Sequence, residues 1–143
     1  LSKESGREGQ INETTFFAAY SYPRISVYDD YNGWDRIPHT GRNECYNDFN
    51  NYNVSISVQK NFVVYATGVM QNPQEVLQPN ALNDFKKSLV STDIIHIAKD
   101  GEIAAGKITL QNEQNTFKFK ADDITDFCWA ARSTYVWDAS SVQ

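Results

Sequence analysis

Polar and apolar positions alternate along residues 52–58. Tyr52, Val54, Ile56 and Val58 fall on one side of an extended chain; Asn53, Ser55 and Ser57 fall on the other. A period of two marks a strand with one face buried. A second apolar run over 62–69 follows the polar break at 59–61, and the two are expected to close an antiparallel hairpin. Gly68 and the pair Asn72 and Pro73 end that unit with turn chemistry. The same alternation returns at 116–121, with Phe117, Phe119 and Ala121 inward and Lys118 and Lys120 outward.

Shorter runs at 14–19, 93–98, 107–110, 127–131 and 134–137 read as further strands, and 24–28 as extended chain. Between 80 and 90 the period changes. Leu82, Phe85 and Leu89 recur at helical spacing and Asn80 suits an N-cap, which predicts one short helix. Residues 29–51 are dense in Asp, Asn, Gly and Pro and are expected to form a long surface loop. Residues 1–13 read as a polar, loop-like or disordered lead. The sum is a mostly β fold: antiparallel, a saddle-shaped β-sandwich or set of curved sheets, with one short helix at about 80–90, in a single domain over 14–143.

At 143 residues the chain can bury one sizeable core but not two. A net charge of −5 without a basic patch argues against nucleic acid as a partner. No apolar stretch approaches the roughly 20 residues of a membrane span. The chain opens at Leu1 on polar residues, without Met or a signal-like segment, and is expected to be a piece of a longer polypeptide; a mature secreted chain is the alternative. Of the two cysteines, Cys45 and Cys128, a bridge would close a long loop and contribute about 4 kcal/mol. The preferred alternative is two unrelated thiols, with Cys128 a small hydrophobe in an apolar strand.

Reactive motifs are sparse. His39 and His96 stand far apart, with no His-Glu-x-x-His and no paired Cys-x-x-Cys, so a zinc ligand role for either is disfavoured. No Gly-x-Ser-x-Gly and no glycine-rich phosphate loop occurs. The adjacent carboxylates Asp29 and Asp30, and Asp122 and Asp123, diverge on an extended chain and read as turn formers. A calcium site from Asp29, Asp30, Asp35 and Asp48 lacks the alternating ligand spacing it would need. Tyr20, Tyr22, Tyr28, Tyr31 and Trp34 crowd into 15 positions, 20–34, either lining a cleft or packing the loop onto the sheet. Asn12 and Asn53 each begin a glycosylation triplet.

Several segments stand in a recognisable order: Tyr22, Pro23 and Arg24; Val27 to Asp30; Gly33 and Trp34; Asn51 to Val54; Ala66 to Pro73; Phe117 to Ala131; and Tyr135 to Ala139. Together they resemble the N-terminal domain of bacterial aminopeptidase-N-type zinc metallopeptidases, gluzincins related to leukotriene hydrolases, from roughly 14 to 139. The resemblance implies a saddle-shaped antiparallel β-domain that packs on a thermolysin-like catalytic domain of the same polypeptide. It places the zinc and its His-Glu-x-x-His helix in that other domain, and neither catalytic nor metal-binding residues in this one. It further implies a peptide substrate in the parent enzyme and a periplasmic, cell-surface or secreted bacterial setting. The family's typical Gln-Trp-Tyr-Pro stretch corresponds here to Tyr20, Ser21, Tyr22 and Pro23, so two of the four residues differ. Tyr20, Tyr22 and Arg24 become the candidates for facing the substrate cleft. Two alternatives stand beside this: a stand-alone peptide- or carbohydrate-binding β-module using the aromatic loop 20–34, and a structural domain of a catalytically dead homologue.

Overall fold

The fold was obtained as a computed structural model and is described for residues 8–19, 22–38 and 46–142. In chain order the strands are β1 (Glu8–Asn12), β2 (Thr15–Ala19), β3 (Tyr28–Asp29), β4 (Gly33–Trp34), β5 (Asn50–Gln59), β6 (Val63–Ala66) and β7 (Val69–Met70). Two helices follow, α1 (Pro73–Val76) and α2 (Pro79–Ser88), then β8 (Ile95–Ala98), β9 (Gln114–Ile124), β10 (Cys128–Arg132) and β11 (Trp137–Ala139). The fold is mostly β and antiparallel, with no closed barrel. One sheet runs β1-β2-β10-β6 and another β5-β9-β7; β11-β8 and β3-β4 are two-stranded. No helix among the described residues is long and apolar enough to cross a membrane.

The alternating strands face as their patterns require. Ile56, Phe117, Phe119 and Ala121 are buried, while Asn53, Ser55, Ser57, Lys118 and Lys120 are exposed. Ile56 lies opposite Phe117, and Val54 opposite Phe119, so β5 and β9 stack their apolar faces in register. These residues join Val63, Val64 and Ala131 of the other sheet in one core.

The expected hairpin of 52–69 does not form. β5 pairs with β9 and β6 with β10, so the two runs enter different sheets. The chain turns at Asn61, which takes a left-handed φ of 64° that asparagine adopts more readily than most residues, and its amide is held by long-range partners. Those partners are the carbonyl of Ala104, to which it donates, and Gln111, from which it accepts. Val63 and Val64 are both buried, so β6 is covered on both faces and cannot be half of a two-sided hairpin. On one face Tyr65 meets Tyr135 and Trp137, and Trp137 meets Phe85 of α2.

Other expectations shift in detail. Residues 8–12, read as part of a loop-like lead, form the edge strand β1, whose half-exposed polar sequence carries no alternation. Residues 107–110 form no strand, only an isolated bridge between Leu77 and Thr109. Pro79 starts α2 one residue before Asn80, its fixed φ suiting the first helical position. Leu89 lies beyond the last turn and is exposed, leaving Ala81, Leu82, Phe85 and Ser88 to face the core. Residues 29–51 contain the small β3–β4 hairpin rather than loop alone.

Asn72 does more than form a turn. It is buried, and its side-chain amide works as a spare peptide group beyond β7. Its Oδ1 accepts from Lys118 N at 2.9 Å while its Nδ2 donates to Thr116 O at 2.9 Å and to Glu75 Oε2 at 2.8 Å. The ladder on β9 therefore continues where the partner backbone turns away into α1. Two polar groups of β9 depend on this one side chain.

Asn72→Ala is expected to destabilise the fold by about 2–4 kcal/mol, because it orphans a backbone N–H and C=O at the core edge. Urea denaturation would measure it, and a cost below about 0.5 kcal/mol would show that the ladder does not need the amide. Gly68→Ala should also be strongly destabilising. Gly68 has φ 91°, and an added Cβ would lie 2.4 Å from the Lys120 carbonyl oxygen.

Candidate functional site

Two of the three cleft candidates, Tyr22 and Arg24, come together; Tyr20 lies outside the described residues. Tyr22 stands just beyond β2, where Pro23 turns the chain. Its ring packs edge-on against Tyr52 of β5, with centroids 5.5 Å apart. Its hydroxyl lies 2.6 Å from Asp126 Oδ1 and 3.0 Å from the Tyr52 hydroxyl. The single Tyr22 proton goes to the carboxylate, the nearer and charged acceptor, which leaves Tyr52 to donate in return. The Phe127 backbone N–H also donates to the Tyr22 oxygen at 3.1 Å. Burial, then the bond to Asp126, hold the Tyr22 phenol well above its ordinary pKa.

Arg24 completes the cluster. Its guanidinium carbon sits 5.4 Å from the Tyr22 ring centroid, Nη1 donates to Asn47 Oδ1 at 2.6 Å, and Nη2 lies 4.0 Å from Asp126 Oδ1. Asp126 is thus the hub. Its Oδ1 takes the Tyr22 proton, accepts from Phe127 N at 2.8 Å, and faces the Arg24 charge. Beside this cluster opens a cleft of about 330 Å³, lined by Tyr22, Asn51, Tyr52, Asn53, Val54, Phe127 and Trp129. Phe127 stacks on Tyr52 at its floor, with centroids 5.8 Å apart. The arrangement can bind and orient: it offers amides, a phenol and aromatic faces on rigid strands. Asp126 is committed to Tyr22, the Phe127 backbone N–H and the Arg24 charge.

Asp126, Tyr52 and Asn47 escaped the sequence reading. The signal for Asp126 was faint, an Asp just before an apolar strand, which also describes an ordinary turn.

The other candidates disperse. Of the five aromatic residues of 20–34, Tyr22 belongs to the cleft, while Tyr28 and Trp34 pair edge-on at 5.2 Å across the β3–β4 hairpin and remain largely exposed. Tyr31 at its tip is 97% exposed. These rings therefore neither line one cleft nor pack the loop onto the sheet. Three of the four acids weighed for calcium hold their own backbone. Asp29 accepts from Tyr31 N and Asn32 N, Asp35 from Ile37 N, and Asp48 from Phe49 N. The amides of Asn32 and Tyr31 accordingly lower the Asp29 pKa.

His96 is exposed on β8 and lies 2.6 Å from Asp138 of β11; His39 is outside the described residues. Among the described residues no three His, Cys, Asp or Glu side chains come together where a metal ion could be held, so these residues do not fit a zinc centre. Cys128 is exposed rather than packed as a small hydrophobe, with its N–H donating to Thr67 Oγ1 at 3.1 Å; Cys45 lies outside the described residues. Asn12 turns inward on its own chain, its Oδ1 accepting from Thr14 N and Oγ1.

The chain matches no family model, no curated protein and no solved structure.

The raised Tyr22 and Tyr65 pKa values set an alkaline limit on stability. Unfolded tyrosine ionises near pH ~10, whereas these folded phenols keep their protons to higher pH. Above ~10 the unfolded chain therefore binds fewer protons than the native one, and stability falls as pH rises, having been fully present below that point. Absorbance titration of the phenolates should reveal late-titrating tyrosines, with one fewer in Tyr22→Phe. An unchanged titration curve for that variant would contradict the hydrogen-bonded geometry of Tyr22.

Proposed function

We propose that this chain is the N-terminal, non-catalytic β-domain of a bacterial zinc aminopeptidase of the aminopeptidase-N type, packed on a catalytic domain and forming part of the wall of its peptide cleft. One observation carries the reading. Three of the resembling segments, distant in sequence, meet at one place: Tyr22, Asn51 to Val54, and Phe127 with Trp129 line the same cleft, and Arg24 and Asp126 hold Tyr22 beside it. Tyr22 and Asp126 are 104 positions apart and share a hydrogen bond. The convergence of these segments on one cleft is what supports the reading.

The chemistry of the cleft suits a peptide. The amides of Asn51 and Asn53 can engage a substrate backbone, and the faces of Phe127 and Trp129 can take an apolar side chain. In the reading proposed, zinc and the water-activating Glu belong to the catalytic domain, and this domain supplies shape and orientation alone. Arg24, held over Tyr22, is the cation that would meet a substrate carboxylate or carbonyl at the rim.

A second reading has its own observation. The exposed Tyr28–Trp34 pair on a tight hairpin presents two aromatic faces to solvent, as a carbohydrate- or peptide-binding module would. Titration with oligosaccharides and short peptides, monitored by Trp fluorescence, separates the two readings. Saturable binding lost in Trp34→Ala favours the module.

Under the peptidase reading the isolated chain should hydrolyse no aminoacyl p-nitroanilide and bind no stoichiometric zinc. In the parent enzyme, Arg24→Ala should raise KM for peptides about tenfold while leaving kcat nearly unchanged, the pattern of lost uniform binding. Chelator-sensitive hydrolysis by the isolated chain, or a parent sequence without His-Glu-x-x-His, would overturn the reading.

A further inference from the structure

The two main sheets are unequal. The β1-β2-β10-β6 sheet has four strands and the β5-β9-β7 sheet three, with β5 at an edge. Along β5 the mismatch leaves space. A cleft of about 350 Å³ opens between Phe16 of β2, Val58 of β5, Phe62 and Trp129 of β10. The cleft of about 330 Å³ already described opens on the other side of Trp129, against Tyr52 and Val54. The inward face of β5 is thus half-buried at Tyr52, Val54 and Val58, and only Ile56 is buried.

Among the described residues no strand pairs with the outer edge of β5, and the strand is also unguarded. Natural edge strands carry a charge, a proline or a mid-strand bulge that prevents another strand from adding. Residues 50–59 contain no charged residue, no proline and no glycine. The one irregularity lies at the start, between Asn50 and Tyr52, and the remainder is regular over eight paired positions. With a net charge of −5 two copies repel in general, but this strand brings no charge of its own to the approach.

We propose that the edge of β5 receives a further strand, and that in this chain the strand is β5 of a second copy, joined antiparallel about a two-fold axis at Ser55. The register follows from the pattern. Centred on Ser55, Tyr52 meets the second copy's Val58 and Val54 meets its Ile56, so all four inward apolar residues pair with one another. Asn53 then meets Ser57, and Ser55 its own counterpart. A register moved by one residue either way along each strand leaves Val58 facing Asn50 or Tyr52 facing Lys60. The tyrosine of each copy lies beside the other's Val58, where the 350 Å³ cleft opens, and completes the cover over Phe16 and Trp129. The result is an isologous six-stranded sheet, with backbone bonds providing affinity and the two clefts fixing register. This pairing does not rest on the peptidase reading, since it uses neither Arg24 nor Asp126, but it shares Tyr52, Asn53 and Val54 with the proposed peptide cleft, so a second strand and a peptide would exclude each other there.

Charge at the axis tests it. Ser55 is exposed and lies opposite Lys118 on β9, so Ser55→Glu adds a favourable cross-strand neighbour within one copy while placing two carboxylates face to face across the axis. Analytical ultracentrifugation of the 143-residue chain should show a concentration-dependent dimer. Ser55→Glu should weaken it about tenfold or more without lowering the melting temperature, and Ser55→Lys should weaken it likewise. Mixing the two variants should restore a heterodimer, which only juxtaposed Ser55 positions explain. A wild-type chain that stays monomeric at high concentration overturns the proposal, as does a dimer that survives Ser55→Glu, which would point instead to a surface such as the exposed Tyr28–Trp34 hairpin. Two variants that fail to rescue each other would rule out the Ser55 register.

Discussion

The central strand β9 is the constraint on which the rest of the fold depends. It is the longest strand and pairs with β5 on one side and β7 on the other. Phe117 within it is fully buried, and Phe119 nearly so. Where β7 ends after two residues, the Asn72 side chain takes over its hydrogen bonds, and Lys118 reaches Glu75 of α1 at 3.0 Å. A strand in the middle of a sheet cannot leave its amides unpaired, so a short neighbour must be extended by something, and here a buried amide extends it. The exposed Lys118–Glu75 pair adds little energy beside that.

The candidate site is a by-product of the same arrangement. β5, held in register by β9, presents Tyr52, and the turn after β9 delivers Asp126 and Phe127 just before β10 begins. Tyr22 arrives from the end of β2, two strands of one sheet thus framing a residue of the other. Because the hydrogen bonds join three distant segments, the cleft should be as rigid as the sandwich itself.

Locally the chain was readable wherever one face of an element is wet. The alternation at 52–58 and 116–121 named the inward residues correctly, and the helical spacing read between 80 and 90 placed α2 within a residue or two, with Leu89 falling beyond its end. Reading failed where that contrast is missing. β1 is a polar edge strand with no apolar stripe to show. The run 107–110 is apolar because Ile108 and Thr109 plug the core from a loop, where Gln78 Nε2 donates to the Thr109 carbonyl at 3.0 Å. Burial without periodicity cannot tell a strand from a plug.

Sequence alone determined the class of the fold and the inward residues of its long strands, since these follow from side-chain period. The tertiary structure alone decided partnership. Adjacent runs at 52–58 and 63–66 could have joined each other, yet each is matched to a strand more than fifty positions away, because β6 needs cover on both faces and β5 on one. The meeting of Tyr22 with Asp126 belongs to the same order of fact. A period of two says which way a side chain points; what it points at is settled only when every buried face and every backbone amide in the domain is satisfied at once.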